Sequence, residues 1–182
     1  MCAASAAIQR ADAVLVTFEI PVPAICETIH AAGRCGARVF VQPAPMLADP
    51  AGAASLPWDQ VDVLVPNEAE ARALLGEGEA DRSVPADDLA SALTAQLGVT
   101  TVVVTLGESG SVLYADGVTR RYPAQEAETV DTTGASDAFT ATFAAHITAG
   151  VPEADAIQAA QAAAAWAIRH PGGHESMLRP NR

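Results

Sequence analysis

Apolar positions recur along the chain with two alternating periods. Short β-branched runs with strand character stand at Ala13 to Phe18, Ala37 to Val41, Val61 to Val65 and Thr100 to Leu106. Between them lie stretches whose apolar residues return every three to four positions, as on one face of a helix. Ile25, Ile29 and Ala32 mark such a face in Ala24 to Arg34, with Gly33 or Gly36 as its stop. Glu68 to Leu75 and Ala86 to Leu97 are predicted helices, the second ending at Gly98. Gly76 to Pro85 is predicted as a loop, and so is Ala44 to Trp58, with at most one weak turn of helix.

The pattern changes after Leu106. Ser111 to Ala115 and Val118 to Tyr122 flank Asp116-Gly117, a pair that accepts the left-handed backbone of a two-residue hairpin turn. The last third is helical: Phe139, Phe143 and Ile147 share one face, and Ile157, Gln161, Ala164 and Ile168 another, after a helix start at Pro152. Strands alternating with helices predict an α/β fold, with a mostly parallel sheet, helices on both faces and the hairpin as an antiparallel addition. Ligands of such sheets sit beyond the carboxyl ends of the strands.

Composition narrows the picture. The 182 residues are half apolar but only 4% aromatic, enough for one domain whose core is built from Ala, Val, Leu and Ile. Ten basic residues against 22 acidic ones give a formal charge of −12, which repels nucleic acid and anionic lipid. Cys2, Cys26 and Cys35 contain no C-x-x-C pair, which argues against a disulfide framework or a zinc site and for a reducing compartment. Met1 to Ile8 lacks the basic start of a signal peptide, and no apolar run approaches the ~20 residues that span a bilayer, so a cytoplasmic location is expected.

The chemistry concentrates in Asp131-Thr132-Thr133-Gly134-Ala135-Ser136-Asp137-Ala138-Phe139. Small residues at Gly134, Ala135 and Ser136 let the amides of a helix N-terminus approach an anion. Asp137, in the first turn, is placed to receive a proton from an attacking hydroxyl. Read without chemistry, Asp131 is a helix cap and Asp137 a partner of the helix dipole. The residues alone leave both readings open.

D-T-T-G-A-S-D resembles the second signature of the PfkB/ribokinase family, D-T-x-G-A-G-D, with Ser136 where the family has Gly. By that resemblance Gly134, Ala135 and Ser136 form the anion hole and Asp137 is the catalytic base, which also meets the substrate. Asn67-Glu68-Ala69-Glu70 is similar to the family's N-x-x-E motif, in which Asn67 and Glu70 would organise magnesium through water. As plain structure, Asn67 would be a helix cap and Glu70 a surface residue. Thr105-Leu106-Gly107-Glu108-Ser109-Gly110 resembles T-L-G-x-x-G, which implies nucleotide contacts from Thr105, Gly107 and Gly110; two glycines after a strand also make an ordinary turn.

Glu19 is similar in position to a carboxylate that meets sugar hydroxyls, and otherwise is an exposed strand-end acid. The resemblance also implies a monovalent cation, potassium, shared by Asp131, Thr133, Gly172 and Ser176. His170 and His174 are separated by Pro171-Gly172-Gly173 and cannot act as a helical metal pair.

The implied fold is a three-layer ribokinase-like domain over residues 1–182, truncated, since the likeness runs from about Ala11 to Arg179 and covers only the later part of the family's domain. The opening strands, lid and most substrate-reading groups have no counterpart. The sheet edge they would cover is expected to pair with another copy or a partner segment. The implied activity is ATP-dependent phosphorylation of an alcohol on a sugar, nucleoside or similar small molecule. The alternative is a non-catalytic nucleotide-binding or oligomerising remnant of the fold.

Overall fold

The computed structural model describes residues 3–78 and 82–173. Its Cα packing divides the chain into two compact units. The first runs to Leu106 and takes in Ser111–Arg121; the second comprises Gly107–Gly110 and the chain from Tyr122 onward.

The first unit is built on the sheet. Strands β1 (Ala13–Thr17), β2 (Arg38–Gln42), β3 (Val63–Leu64) and β4 (Thr101–Thr105) run parallel, and β5 (Ser111–Ala115) joins β4 antiparallel, followed by β6 (Val118–Tyr122). Strand order is sequence order, β1-β2-β3-β4-β5-β6. The turn between β5 and β6 is the expected one: Asp116 and Gly117 have φ of 52° and 76°, the doubly left-handed pair that matches strand twist.

Helices α1 (Ala3–Ile8), α2 (Val22–Cys35), α3 (Pro50–Ala54), α4 (Glu68–Leu74) and α5 (Leu89–Leu97) fill the connections. Helix α2 stops where glycine allows it, at Gly36 with φ 74°, whose amide bonds back to Ala32 and Gly33. Gly33 stays within the helix, where a methyl group would lie 3.2 Å from Gln60 Oε1. The segment 44–58 holds more helix than its Pro/Ala/Gly composition suggests. Asp49 caps α3 by accepting from the Ala51 amide at 2.9 Å, and a 3-10 turn follows at Trp58–Gln60.

One face of the sheet carries Val16, Val39, Val41, Leu64, Val102, Val104 and Val112, packed with Ile25, Ile29 and Ala32 of α2 and with Leu89, Ala90 and Leu93 of α5. The period of two in the strands meets the helical period of the covering elements there, as the sequence pattern requires. On the opposite face Phe40, Val63, Val103 and Leu113 are also buried.

The second unit centres on α6 (Ala135–Thr148) and α7 (Glu153–Ala167), which pack on each other. Phe143 is fully buried and stacks on Phe139 with ring centroids 6.3 Å apart. Ala156, Ile157, Ala160 and Ala167 supply the small buried surface of α7. Among the described residues no helix is long and apolar enough to cross a membrane.

Candidate active site

In the first unit the carboxyl ends of the strands carry Glu19, Asn67 and Thr105. Glu19 is exposed in the turn that follows β1. Asn67 caps α4 in a reciprocal box: its Oδ1 accepts from the Glu70 amide at 2.9 Å, while its own amide and Nδ2 donate to the two Glu70 carboxylate oxygens at 2.8 and 2.7 Å. Asn67 and Glu70, the pair expected near magnesium, are thus the pair that caps α4, and the cap holds them in a fixed geometry. Asn67 also bridges Thr105 in the parallel direction, and the Thr105 amide donates to the Pro66 carbonyl at 2.9 Å. N-x-x-E and the start of T-L-G-x-x-G are therefore neighbours.

Among the described residues no group of three or more His, Cys, Asp or Glu could hold a metal ion. Asn67 and Glu70 are one carboxylate and one carboxamide, a sparse oxygen set that suits magnesium keeping most of its waters.

A cavity of about 420 Å³ lies beside α4, lined by Glu68, Ala69, Arg72, Ala73, Glu77, Gly78 and Arg82. It surrounds a structural clamp. Arg72 pairs with Glu68 at 2.8 Å and Glu77 at 2.7 Å and donates to the Val84 carbonyl at 3.0 Å. Hydrogen bonding from Ser83, and next from Arg72 and the Val84 amide, holds the Glu77 carboxyl below its ordinary value, against the opposing effect of burial.

In the second unit Gly107–Ser109 form a 3-10 turn, and the Gly110 amide donates to the Gly107 carbonyl at 3.0 Å. Gly107 is exposed with φ 57°, whereas Gly110 is buried with φ 90°. A methyl group on Gly110 would stand 2.0 Å from the Tyr122 carbonyl oxygen and 2.7 Å from the Ala124 amide nitrogen. The first glycine of the motif lies open; the second has a packing reason of its own.

Gly134, with φ 78°, is the N-cap of α6, and among the described residues no side chain makes a capping hydrogen bond to that helix. Thr132, Thr133, Ser136 and Asp137 around it are exposed. Ser136 lies inside the helix, and Asp116 is the sole described non-glycine residue with positive φ, so the serine imposes no left-handed strain. The arrangement is an uncapped, fourteen-residue helix start with an exposed carboxylate in its first turn.

The approach to that helix is tied down. Asp131 accepts from the Thr133 amide at 2.9 Å with one oxygen and from the Gly172 amide at 2.9 Å with the other. The Val130 and Asp131 amides both donate to the Ile168 carbonyl, at 2.8 and 3.1 Å. The bond from Gly172, then those from Thr133, hold the Asp131 carboxyl down at about 2. Three of the four residues expected around a monovalent cation, Asp131, Thr133 and Gly172, are thus brought together; Ser176 lies outside the described residues.

Gln42, a polar residue that is 2% exposed, ends β2. It follows the continuous apolar run Val39-Phe40-Val41 and stands just before Pro43.

A mostly parallel α/β sheet and a glycine-led helix start without a side-chain cap are common to folds that bind phosphorylated ligands. Residues 2–179 match the family model for pfkB family carbohydrate kinases, and the chain belongs to that family. It is 30% identical over 172 residues to the ribokinase of Staphylococcus aureus (strain COL), an alignment covering 94% of this chain and 55% of that protein. Among solved structures it is similar to Arabidopsis thaliana ribokinase complexed with ribose and ATP, with TM-score 0.81, 29% identity and coverage of 96% of this chain and 55% of that one. Ribokinase from Cryptococcus neoformans var. grubii serotype A in complex with ADP is also similar, with TM-score 0.73, 27% identity and coverage of 90% and 56%. The fold is accordingly ribokinase-like, and the chain spans about 55% of the length of such relatives, matching their C-terminal part.

Proposed function

We propose that this chain is the nucleotide-binding and phosphoryl-transfer portion of an ATP-dependent carbohydrate kinase acting on an alcohol group of a sugar or sugar-like molecule. The observation that carries the reading is the start of α6, where Gly134 leads an uncapped helix and Asp137 is exposed in the first turn. Similarity to ribokinase structures holding ribose with ATP, and ADP, supports the substrate class and the nucleotide.

The acceptor hydroxyl gives its proton to the Asp137 carboxylate as its oxygen bonds to the γ-phosphorus. The bond from that phosphorus to the β–γ bridging oxygen breaks, and ADP leaves with the electron pair. The amides at Gly134, Ala135 and Ser136 meet the charge on the transferring group, with donors fixed before the reaction begins. Thr105, Gly107 and Gly110 belong to the nucleotide side, and Glu19 to the sugar hydroxyls. Asn67 and Glu70 would hold magnesium through water, and the ion would supply charge neutralisation on the nucleotide phosphates. Asp131, Thr133 and Gly172, with Ser176, would hold a monovalent cation such as potassium. Free thiols at Cys26 and Cys35 fit a reducing, cytoplasmic setting.

The test is ADP release over a panel of pentoses, hexoses and nucleosides, for the wild type and Asp137→Asn. Loss of a general base lowers turnover by about 10²–10⁴-fold, and Mg-ADP binding should persist in the variant. Ser136, standing where the family signature has glycine, favours one other reading, a fold that binds nucleotide without catalysis. Nucleotide binding with no turnover on any acceptor would establish it.

A further inference from the structure

Helix α4 is seven residues long and carries both groups expected near magnesium at its start, Asn67 as N-cap and Glu70 in the first turn. Two turns of helix do not hold themselves in water, because nucleation is costly and few bonds follow it. The direction in which α4 presents Asn67 and Glu70 is therefore set by what ties the helix to the rest of its unit. Ala71 and Leu74 are buried on one side, and Gln96 of α5 donates from Nε2 to the Leu74 carbonyl at 2.8 Å.

The remaining tie is Arg72, a charged residue 4% exposed in the middle of the helix. Nε and Nη2 donate to Glu68 Oε1 at 3.0 and 2.8 Å, while Nη1 donates to Glu77 Oε2 at 2.7 Å and to the Val84 carbonyl at 3.0 Å. Glu77 is held in turn, its Oε1 accepting from Ser83 Oγ at 2.6 Å and from the Val84 amide at 2.8 Å. One side chain thus joins Glu68, the first residue of α4 and the neighbour of Asn67, to the chain beyond the end of the helix. The two acids of the first turn are sorted by it: Glu70 belongs to the cap and Glu68 to Arg72. A buried ion pair adds little net stability over an apolar side chain of similar volume, and its best-attested use is to select one arrangement among several.

We propose that Arg72, acting through Glu68, is a positioning residue for the magnesium pair: the clamp sets the angle at which α4 presents Asn67 and Glu70. The inference rests on the kinase reading, and within it on magnesium held by Asn67 and Glu70.

Titration calorimetry of ADP with and without magnesium, amide exchange at Glu70 and thermal melts test it on the full chain. Glu68→Ala severs the motif from the clamp and leaves the bonds of Arg72 to Glu77 and Val84 in place. It should weaken Mg-ADP binding about tenfold, the scale of one lost hydrogen bond to a charged group, with metal-free ADP affinity unchanged. Exchange of the Glu70 amide, which donates to Asn67 Oδ1, should quicken as the cap loosens. Arg72→Met should show the same selective loss, and Arg72→Lys, whose single ammonium meets one carboxylate at a time, should recover part of it. If Arg72→Met does not fold, Glu68→Ala decides the matter.

The proposal is overturned if the variants melt earlier while the gain in ADP affinity from magnesium stays as in the wild type, the result for a purely structural clamp. It is overturned too if metal-free and Mg-ADP binding weaken equally, because the effect is then not on the magnesium pair. A wild type whose ADP affinity ignores magnesium removes the magnesium assignment itself, and the proposal with it.

Discussion

Gly107 and Gly110 occupy equivalent-looking places in a six-residue motif, yet space around them differs. Nothing lies within 4 Å of a methyl group added to Gly107, while at Gly110 the methyl would overlap the backbone of Tyr122 and Ala124. Gly107→Ala should cost about 1–2 kcal/mol, from the left-handed backbone alone. Gly110→Ala should cost about 3 kcal/mol or more, since strain and overlap add. Urea denaturation midpoints check the order of the two. The sequence told that both glycines follow a strand; it could not tell which one packs, because Tyr122 and Ala124 lie more than ten residues further on. Ser136 was legible as a departure from the family pattern. Its backbone setting became clear only with the helix start at Ala135, which places it within a normal helical turn.

Helix ends and strand ends carry most of what this fold positions, and much of that was readable. The stop of α2 at Gly36, the Asn67 cap and the Asp116-Gly117 turn follow from local chemistry in neighbouring residues. Helix α3 was readable only as a weak turn, for low propensity, and the nearness of Gly172 to Asp131 only through the family resemblance, since 41 residues separate them. The bond between them has a pH consequence. The Asp131 carboxyl is held at about 2, below its ordinary value, so the folded state favours the ionised form. Its contribution to stability is present above the ordinary carboxylate value and disappears as pH falls toward 2. Asp131→Asn should therefore lower stability near neutral pH and flatten the acid limb of the stability curve, measured by denaturant titration from pH 7 to pH 2. The Glu77 carboxyl is lowered in the same direction, and Glu77→Gln in the Arg72 clamp is the control: it should loosen the hold on Val84, seen as faster exchange of the Val84 amide, which donates to Glu77 at 2.8 Å.

The two borders of the sheet are unlike. Strand β6 presents exposed Arg120 and Arg121, the kind of charge that discourages further pairing. Strand β1, Ala13–Thr17, has β2 as its one sheet neighbour among the described residues, carries no charge or proline, and exposes Leu15 at 39% with Ile20 beyond it at 41%. We expect β1 to accept a strand from a second copy or a partner segment. Leu15→Lys should then shift sedimentation toward the monomer without lowering Tm, whereas an unchanged distribution would leave β1 a solvated border. The order of layers and the parallel sheet were legible because periods of two and of three to four residues alternate along the whole chain. The division into two compact units was not, since no linker composition marks Gly107 or Tyr122.

The central claim concerns the amides that open α6. Backbone amide NMR shifts on titration with Mg-ATP, compared with AMP, test it most directly. The account predicts large shifts at Ala135, Ser136 and Asp137 with ATP and small ones with AMP, because only the triphosphate carries a terminal phosphate to that helix end. Equal, negligible shifts there, with binding of Mg-ATP confirmed elsewhere in the spectrum, would contradict it.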